Sequence, residues 1–288
     1  MLNKYSAIKI IECPRDAMQG WQHFIPTEKK IQYINALLKV GFDTIDFGSF
    51  VSPKAIPQMA DTAGVLKGLK IENNATKLLA IVANMRGAEE AVIYDSITYL
   101  GFPFSISPTF QQRNTNSSME ASFATVEAIQ NLCIKNQKKL VIYISMGFGN
   151  IYGDEYNETI VLHWVNKMIE MGVEIISMAD TVGVATPQQV GAILRTLMPA
   201  YPATEIGVHL HSKAINWKDK IDAALQAGCR RFDGALKGIG GCPMSGDELV
   251  GNMDTELMIP YFKDLGMPGI LDMGALQECS ILANEIFV

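Results

Sequence analysis

Short, β-branched apolar runs recur along this chain, and each is followed by a longer segment whose apolar residues repeat at helical spacing. The runs are Ala7–Cys13, Thr44–Phe47, Leu78–Ala83, Ile97–Ser105, Leu140–Ser145, Glu174–Met178, Glu205–Leu210 and Arg231–Leu236. Between them lie helical segments such as Thr27–Val40, with Thr27 placed to cap it, and Ser118–Asn136. Eight strand–helix units imply a parallel sheet covered on both faces, because crossover helices leave neither face to solvent. The simplest closure is an α/β fold of the (β/α)8 TIM-barrel type with additional C-terminal helices from about residue 243 onward. A doubly wound open sheet is the rival, but its Gly-rich turn after the first strand is here Cys13-Pro14-Arg15-Asp16. The 288 residues carry no Pro/Gly/Ser linker or low-complexity stretch, so they read as one domain, the barrel over about 6–240 and a loop with helices over about 238–288.

Composition narrows the function. The chain is 48% hydrophobic and 19% charged, with a net charge of −6, which excludes disorder and gives no basic stripe for a phosphate backbone. A nucleic-acid partner is therefore not expected, and neither is a membrane, since no long uncharged apolar window occurs. The N-terminus passes directly into the first strand without a signal segment, which points to the cytoplasm. Cys13, Cys133, Cys229, Cys242 and Cys279 are odd in number and widely spaced, as reduced thiols rather than a disulfide framework would be.

In a parallel barrel the C-terminal strand ends converge on one face, and polar residues collect at those ends here. The first strand leads to Arg15-Asp16, the second contains Asp46, the third reaches Asn84 and the fifth ends at Ser145. The sixth ends in Asp180-Thr181, and the seventh in His209-Leu210-His211. His209 and His211, at i and i+2 on a strand, share a side and supply half a metal site. Oxygens from Asp16 and Asn252 would complete an open, oxygen-rich shell suited to Mg²⁺ or Mn²⁺, while the competing reading makes the histidines packing residues. Arg15 is suited to stabilising an oxyanion, although it could equally form an ordinary ion pair with Asp16. Asp46 and Asp180 are either site carboxylates or anchors for neighbouring loops. Three glycines precede Cys242-Pro243 within Lys237–Met244, either a mobile loop that swings a thiol over a substrate or a tight turn.

Taken in order, these blocks resemble the 3-hydroxy-3-methylglutaryl-CoA lyase family of metal-dependent aldolase-type barrels. The likeness rests on Pro14-Arg15-Asp16 with Gln19, Ser49-Phe50-Val51-Ser52-Pro53-Lys54 with Pro57-Gln58-Met59, Asp180-Thr181-Val182-Gly183 with Thr186-Pro187, His209-x-His211, and Gly238-Ile239-Gly240-Gly241-Cys242-Pro243. The resemblance implies retro-Claisen cleavage of an acyl-CoA to acetyl-CoA and acetoacetate with a divalent cation. It implies Asp16, His209, His211 and Asn252 as ligands, Arg15 as the enolate-stabilising cation, and Cys242 as the acid. His209 or Asp180 would be the base, and Gln19, Asp46, Ser52, Asn114, Ser145 and Thr181 would contact substrate. Ile11 stands where the family has a glutamate, Asp46 shortens a second glutamate, Ala17 replaces a glycine, and Ser212-Lys213-Ala214-Ile215 replaces Asp-Thr-Tyr-Gly. Two other readings stay open: a related aldolase or Claisen condensing enzyme, and a barrel that binds metal or acyl-CoA without catalysis. The oligomeric state is open between monomer and homodimer.

Overall fold

The computed structural model describes residues 7–71, 75–212, 215–241, 250–267 and 271–287. Its strands are β1 (Lys9–Glu12), β2 (Thr44–Phe50), β3 (Lys77–Val82), β4 (Ile97–Ser105), β5 (Lys139–Ser145), β6 (Ile175–Ala179), β7 (Glu205–His209) and β8 (Arg231–Gly234). They close into one barrel in sequence order, with every neighbouring pair parallel and β8 pairing back onto β1. The expected eight-stranded barrel is therefore present, its ends shifted from the sequence reading by a few residues.

The helices are α1 (Pro14–Gln19), α2 (Thr27–Val40), α3 (Thr62–Lys67), α4 (Met85–Val92), α5 (Pro108–Thr115), α6 (Met119–Lys135), α7 (Glu158–Glu170), α8 (Pro187–Ala200), α9 (Trp217–Gln226), α10 (Thr255–Asp264) and α11 (Met273–Ile286). The two C-terminal helices are α10 and α11, and α11 lies along α2. Ser118 caps α6 as the sequence suggests, its side chain accepting from Ala121 N. Thr27 does not cap α2. It is the first helical residue, preceded by Pro26, and its hydroxyl donates to Asp61 at 2.7 Å. Asn84 caps α4 and belongs to that turn rather than to the charged cluster at the mouth. A capping box of Thr186 and Gln189 opens α8, which gives the Thr186-Pro187 block a local reason.

Side-chain alternation divides each strand between two cores. One large apolar cluster lies between barrel and helices, and a smaller one of Leu79, Tyr99, Val141, Tyr143 and Ile175 fills the barrel interior. The interior also holds a charge: Arg231 on β8 is buried and donates to Glu205 at 3.0 Å, and Glu205 also binds Lys9 at the solvent edge. Gly207 makes room for it, because a Cβ there would stand 2.7 Å from the Arg231 chain.

Candidate active site at the barrel mouth

Arg15 and Asp16 do not extend β1. Pro14, with its fixed φ, starts α1 immediately after the strand, so both residues sit in the first turn of a short helix. The Arg15 guanidinium donates through Nε (3.0 Å) and Nη2 (2.5 Å) to Asp46 on β2, and through Nη1 (2.8 Å) to Asp16. Asp16 also accepts from Gln19 Nε2 and, on its other oxygen, from Asn252 Nδ2, each at 2.7 Å. Burial alone would raise the Asp16 pKa, but Arg15 and the two histidines hold it well below the usual carboxylate range. Burial pushes Asp46 up to about 6 despite Arg15. One carboxylate beside the arginine is thus a permanent anion and the other is poised near neutrality.

His209 closes β7 and His211 follows it, their ring centroids 5.3 Å apart. His209 Nδ1 lies 3.2 Å from Asp233 Oδ2, which turns Nε2 into the free nitrogen of that ring. Burial lowers the His209 pKa, but the Asp233 bond and charge outweigh it and leave it raised. His211 is pushed down to about 4, by burial and then by His209, so its imidazole is neutral at pH 7. Its Nε2 is buried and has no hydrogen-bond partner among the described residues. A buried nitrogen lone pair with no donor costs desolvation energy unless something occupies it. Ligand atoms of Asp16, His209 and His211 all lie within 4.8 Å of one another, so the three fit a divalent cation.

Asn252 faces this group with its nitrogen, which also donates to Ile239 O at 2.9 Å, so ligation by Asn252 requires its amide to turn. Gly240 permits the close approach: at φ +110, a Cβ there would lie 2.6 Å from Asn252 Nδ2 and 2.8 Å from Asp16 O. That glycine answers to packing. Cys242 lies outside the described residues.

Asp180 is held by two donors. One oxygen accepts from Lys220 Nζ at 2.8 Å and the other from Ala185 N at 3.0 Å, while Lys220 also donates to His211 O at 2.7 Å. The Asp180–Lys220 pair, almost fully buried, thereby holds the backbone that presents His211. Thr181 Oγ1 accepts from Met146 N, and Ser145 is buried at the end of β5. Ser52 is exposed in the turn after β2 and Asn114 half-buried on α5, and no hydrogen bond joins either to the charged cluster among the described residues. Gln58 fastens the loop after α1, its amide donating to Trp21 O and His23 O and accepting from Ile25 N.

Residue-type reasoning passed over Glu12, Lys220 and Asp233. Glu12 is fully buried beside Ile11, accepting from Leu236 N at 2.9 Å and from the Thr255 hydroxyl at 2.6 Å. Burial pushes its carboxyl up to about 8. It grips both flanks of the segment that carries Gly240 and Asn252. An acidic residue inside an apolar strand run was the available signal, for Glu12 as for Asp233.

The chain matches the HMGL-like family over residues 7–282. It is 34% identical to hydroxymethylglutaryl-CoA lyase YngG of Bacillus subtilis over 246 residues, covering 84% of this chain and 80% of that one. It is 33% identical to the mitochondrial hydroxymethylglutaryl-CoA lyase of Mus musculus, covering 94% and 83% respectively. An HMG-CoA lyase from A. baumannii, solved in complex with coenzyme A and 3-methylmalate, superposes with a TM-score of 0.90 at 30% identity, covering 98% of this chain and 91% of that one. With an eight-stranded parallel barrel whose mouth gathers Arg15, Asp16, His209 and His211, and with a match over nearly its full length, the chain belongs to the HMGL-like family.

Proposed function

We propose that the protein is a carbon–carbon lyase that cleaves 3-hydroxy-3-methylglutaryl-CoA into acetyl-CoA and acetoacetate with the help of a divalent cation. The observation that carries this reading is the orphaned His211 Nε2 beside an anionic Asp16. Relatives that share the framework are named for this reaction. Asp16, His209 and His211, with Asn252 after its amide turns, would hold Mg²⁺ or Mn²⁺, whose charge lowers the pKa of a substrate hydroxyl.

The remaining work falls to the chain's own groups. With Asp233 behind Nδ1, His209 aims its Nε2 lone pair into the mouth as a ligand, and the proton of the tertiary hydroxyl leaves to a water held there. Loss of that proton forms the ketone of acetoacetate and sends the carbon–carbon bonding pair to the thioester as an enolate. Of its five donors, Arg15 commits three to Asp46 and Asp16, leaving two N–H groups for the enolate oxygen. Cys242 is the proposed acid that protonates the departing carbon, a step that asks for a neutral thiol. Gln19, Asp46, Ser145 and Thr181 shape the pocket, and Ser52 and Asn114 meet the substrate farther out.

The test is incubation of metal-stripped protein with 3-hydroxy-3-methylglutaryl-CoA, with and without Mg²⁺ or Mn²⁺, following both products. Metal-dependent cleavage is the expected result, and no cleavage by metal-loaded protein would overturn the substrate. A second reading, cleavage of a different acyl-CoA, is favoured by one observation. By the resemblance, Ile11 and Asp46 depart from the family's two strand glutamates, although Glu12, next to Ile11, is a buried carboxylate at the same strand end. Parallel assays with longer 3-acyl analogues decide between the two.

A further inference from the structure

A second set of ligand atoms meets at His209, on its other nitrogen. The Cys13 sulfur, a His209 ring nitrogen and an Asp233 oxygen lie within 4.8 Å of one another, and all three residues are buried. Cys133, Cys229 and Cys279 are also buried and free, but among the described residues none of them joins such a group. Among the described residues the Cys13 thiol makes one long contact, to Ile11 O at 3.7 Å. Among the described residues Asp233 Oδ1 is buried without a hydrogen-bond partner, as is the hydroxyl of Tyr143, whose ring packs edge-on against His209 at 5.7 Å. A buried carboxylate oxygen without a donor, on a residue whose oxygen lies within 4.8 Å of a thiol and an imidazole, is one that a bound cation would satisfy.

We propose that Cys13, His209 and Asp233 form a second cation position, on the Nδ1 side of His209, that takes a thiophilic divalent ion such as Zn²⁺, Cd²⁺ or Co²⁺. The two groups sort ions by ligand chemistry. Asp16, His209 and His211 offer oxygen and imidazole and accept a hard or borderline ion, whereas the sulfur of Cys13 discriminates against Mg²⁺ and favours softer ones. The thiol proton leaves to solvent on ligation, and a water held by Tyr143 can complete the shell. His209 Nδ1 cannot both bind this ion and keep its hydrogen bond to Asp233. An ion on that side therefore removes the support that aims Nε2 into the mouth, so thiophilic ions act as inhibitors. The inhibition rests on the proposed function, but the binding does not.

Cobalt separates the two. Metal-stripped protein titrated with Co²⁺ should develop a thiolate-to-cobalt charge-transfer band in the near ultraviolet. The band should persist in Cys242→Ser and vanish in Cys13→Ser, while the weaker visible bands of cobalt on nitrogen and oxygen ligands remain. Cys13→Ala repeats the test without placing a hydroxyl in the buried wall, and thermal melts confirm that each variant is folded. No band in the wild type, a band that survives loss of Cys13, or one that disappears with Cys242 would each overturn the second position. Loss of the visible bands alone would count against the metal reading of the first site. In the cleavage assay supported by Mg²⁺, Cd²⁺ should inhibit Cys13→Ser at least about tenfold more weakly than the wild type.

Discussion

The mouth and the floor of the barrel use the same residue types to opposite ends. At the floor, Lys77–Asp43 and Lys139–Glu174 are partly exposed ion pairs between neighbouring strand ends, each a one-to-one pair. At the mouth, Arg15 is shared between two buried carboxylates, Asp16 is shared among three donors, and His211 Nε2 has none among the described residues. Water screens the floor pairs, so they add little and tolerate loss. Burial makes every unmatched charge or lone pair at the mouth unfavourable, and a group held at that cost is one that a ligand can satisfy. The difference lies in solvent exposure rather than in composition.

The largest expected effect comes from breaking the sharing at the mouth. Arg15→Gln should lower kcat by about 10²- to 10³-fold, read in the cleavage assay alongside circular dichroism to establish folding, because it removes the donors aimed at developing charge. Wild-type turnover would remove Arg15 from the mechanism. Asp233→Asn comes next. It keeps the shape but exchanges a carboxylate for an amide behind His209, and should weaken divalent-ion affinity by about 10- to 100-fold in a calorimetric titration. An unchanged affinity would mean that the Asp233 bond does not orient the ring.

Glu12→Gln sharpens the comparison through pH. With its pKa raised to about 8 from an ordinary 4.5, Glu12 binds a proton more tightly in the folded chain than in the unfolded one. Its contribution is therefore full below about 4.5 and is lost as pH rises to about 8, at a slope of at most about 1.4 kcal/mol per pH unit. The glutamine variant should match the wild type in acid and exceed it in thermal stability at pH 8 and above; parallel curves across that range would mean Glu12 titrates normally. The smallest effect belongs to the floor: Lys139→Ala should shift unfolding free energy by less than about 0.5 kcal/mol in urea melts and leave kcat unchanged. A larger loss would show that the floor pairs are not screened as their exposure suggests.

The barrel was legible because its signal is local. Runs such as Ile97–Ser105 carry strand character in their own residues, and that strand appears with the same bounds. His209 and His211 could be placed on one side from their spacing alone. What was misread depended on a neighbour: Pro14 turned Arg15 and Asp16 from a strand end into a helix, and Asp61, distant in sequence, took the hydroxyl assigned to capping α2. Asp180, open in the sequence between a site carboxylate and a loop anchor, is bonded by Lys220, which is also distant in sequence.

The sequence by itself determined the period of each element, the strand order compatible with short crossovers, and the supply of arginine, carboxylate and imidazole at the strand ends. These follow from steric preferences within a few residues and from the cost of exposing apolar runs. Only the tertiary structure decided the state of those groups: that Asp16 is an anion, that His211 is neutral with a bare Nε2, that Glu12 holds its proton near neutral pH, and that Asp233 stands behind His209. Protonation and pairing are set by desolvation and by charges brought close through space, and neither exists until the barrel closes.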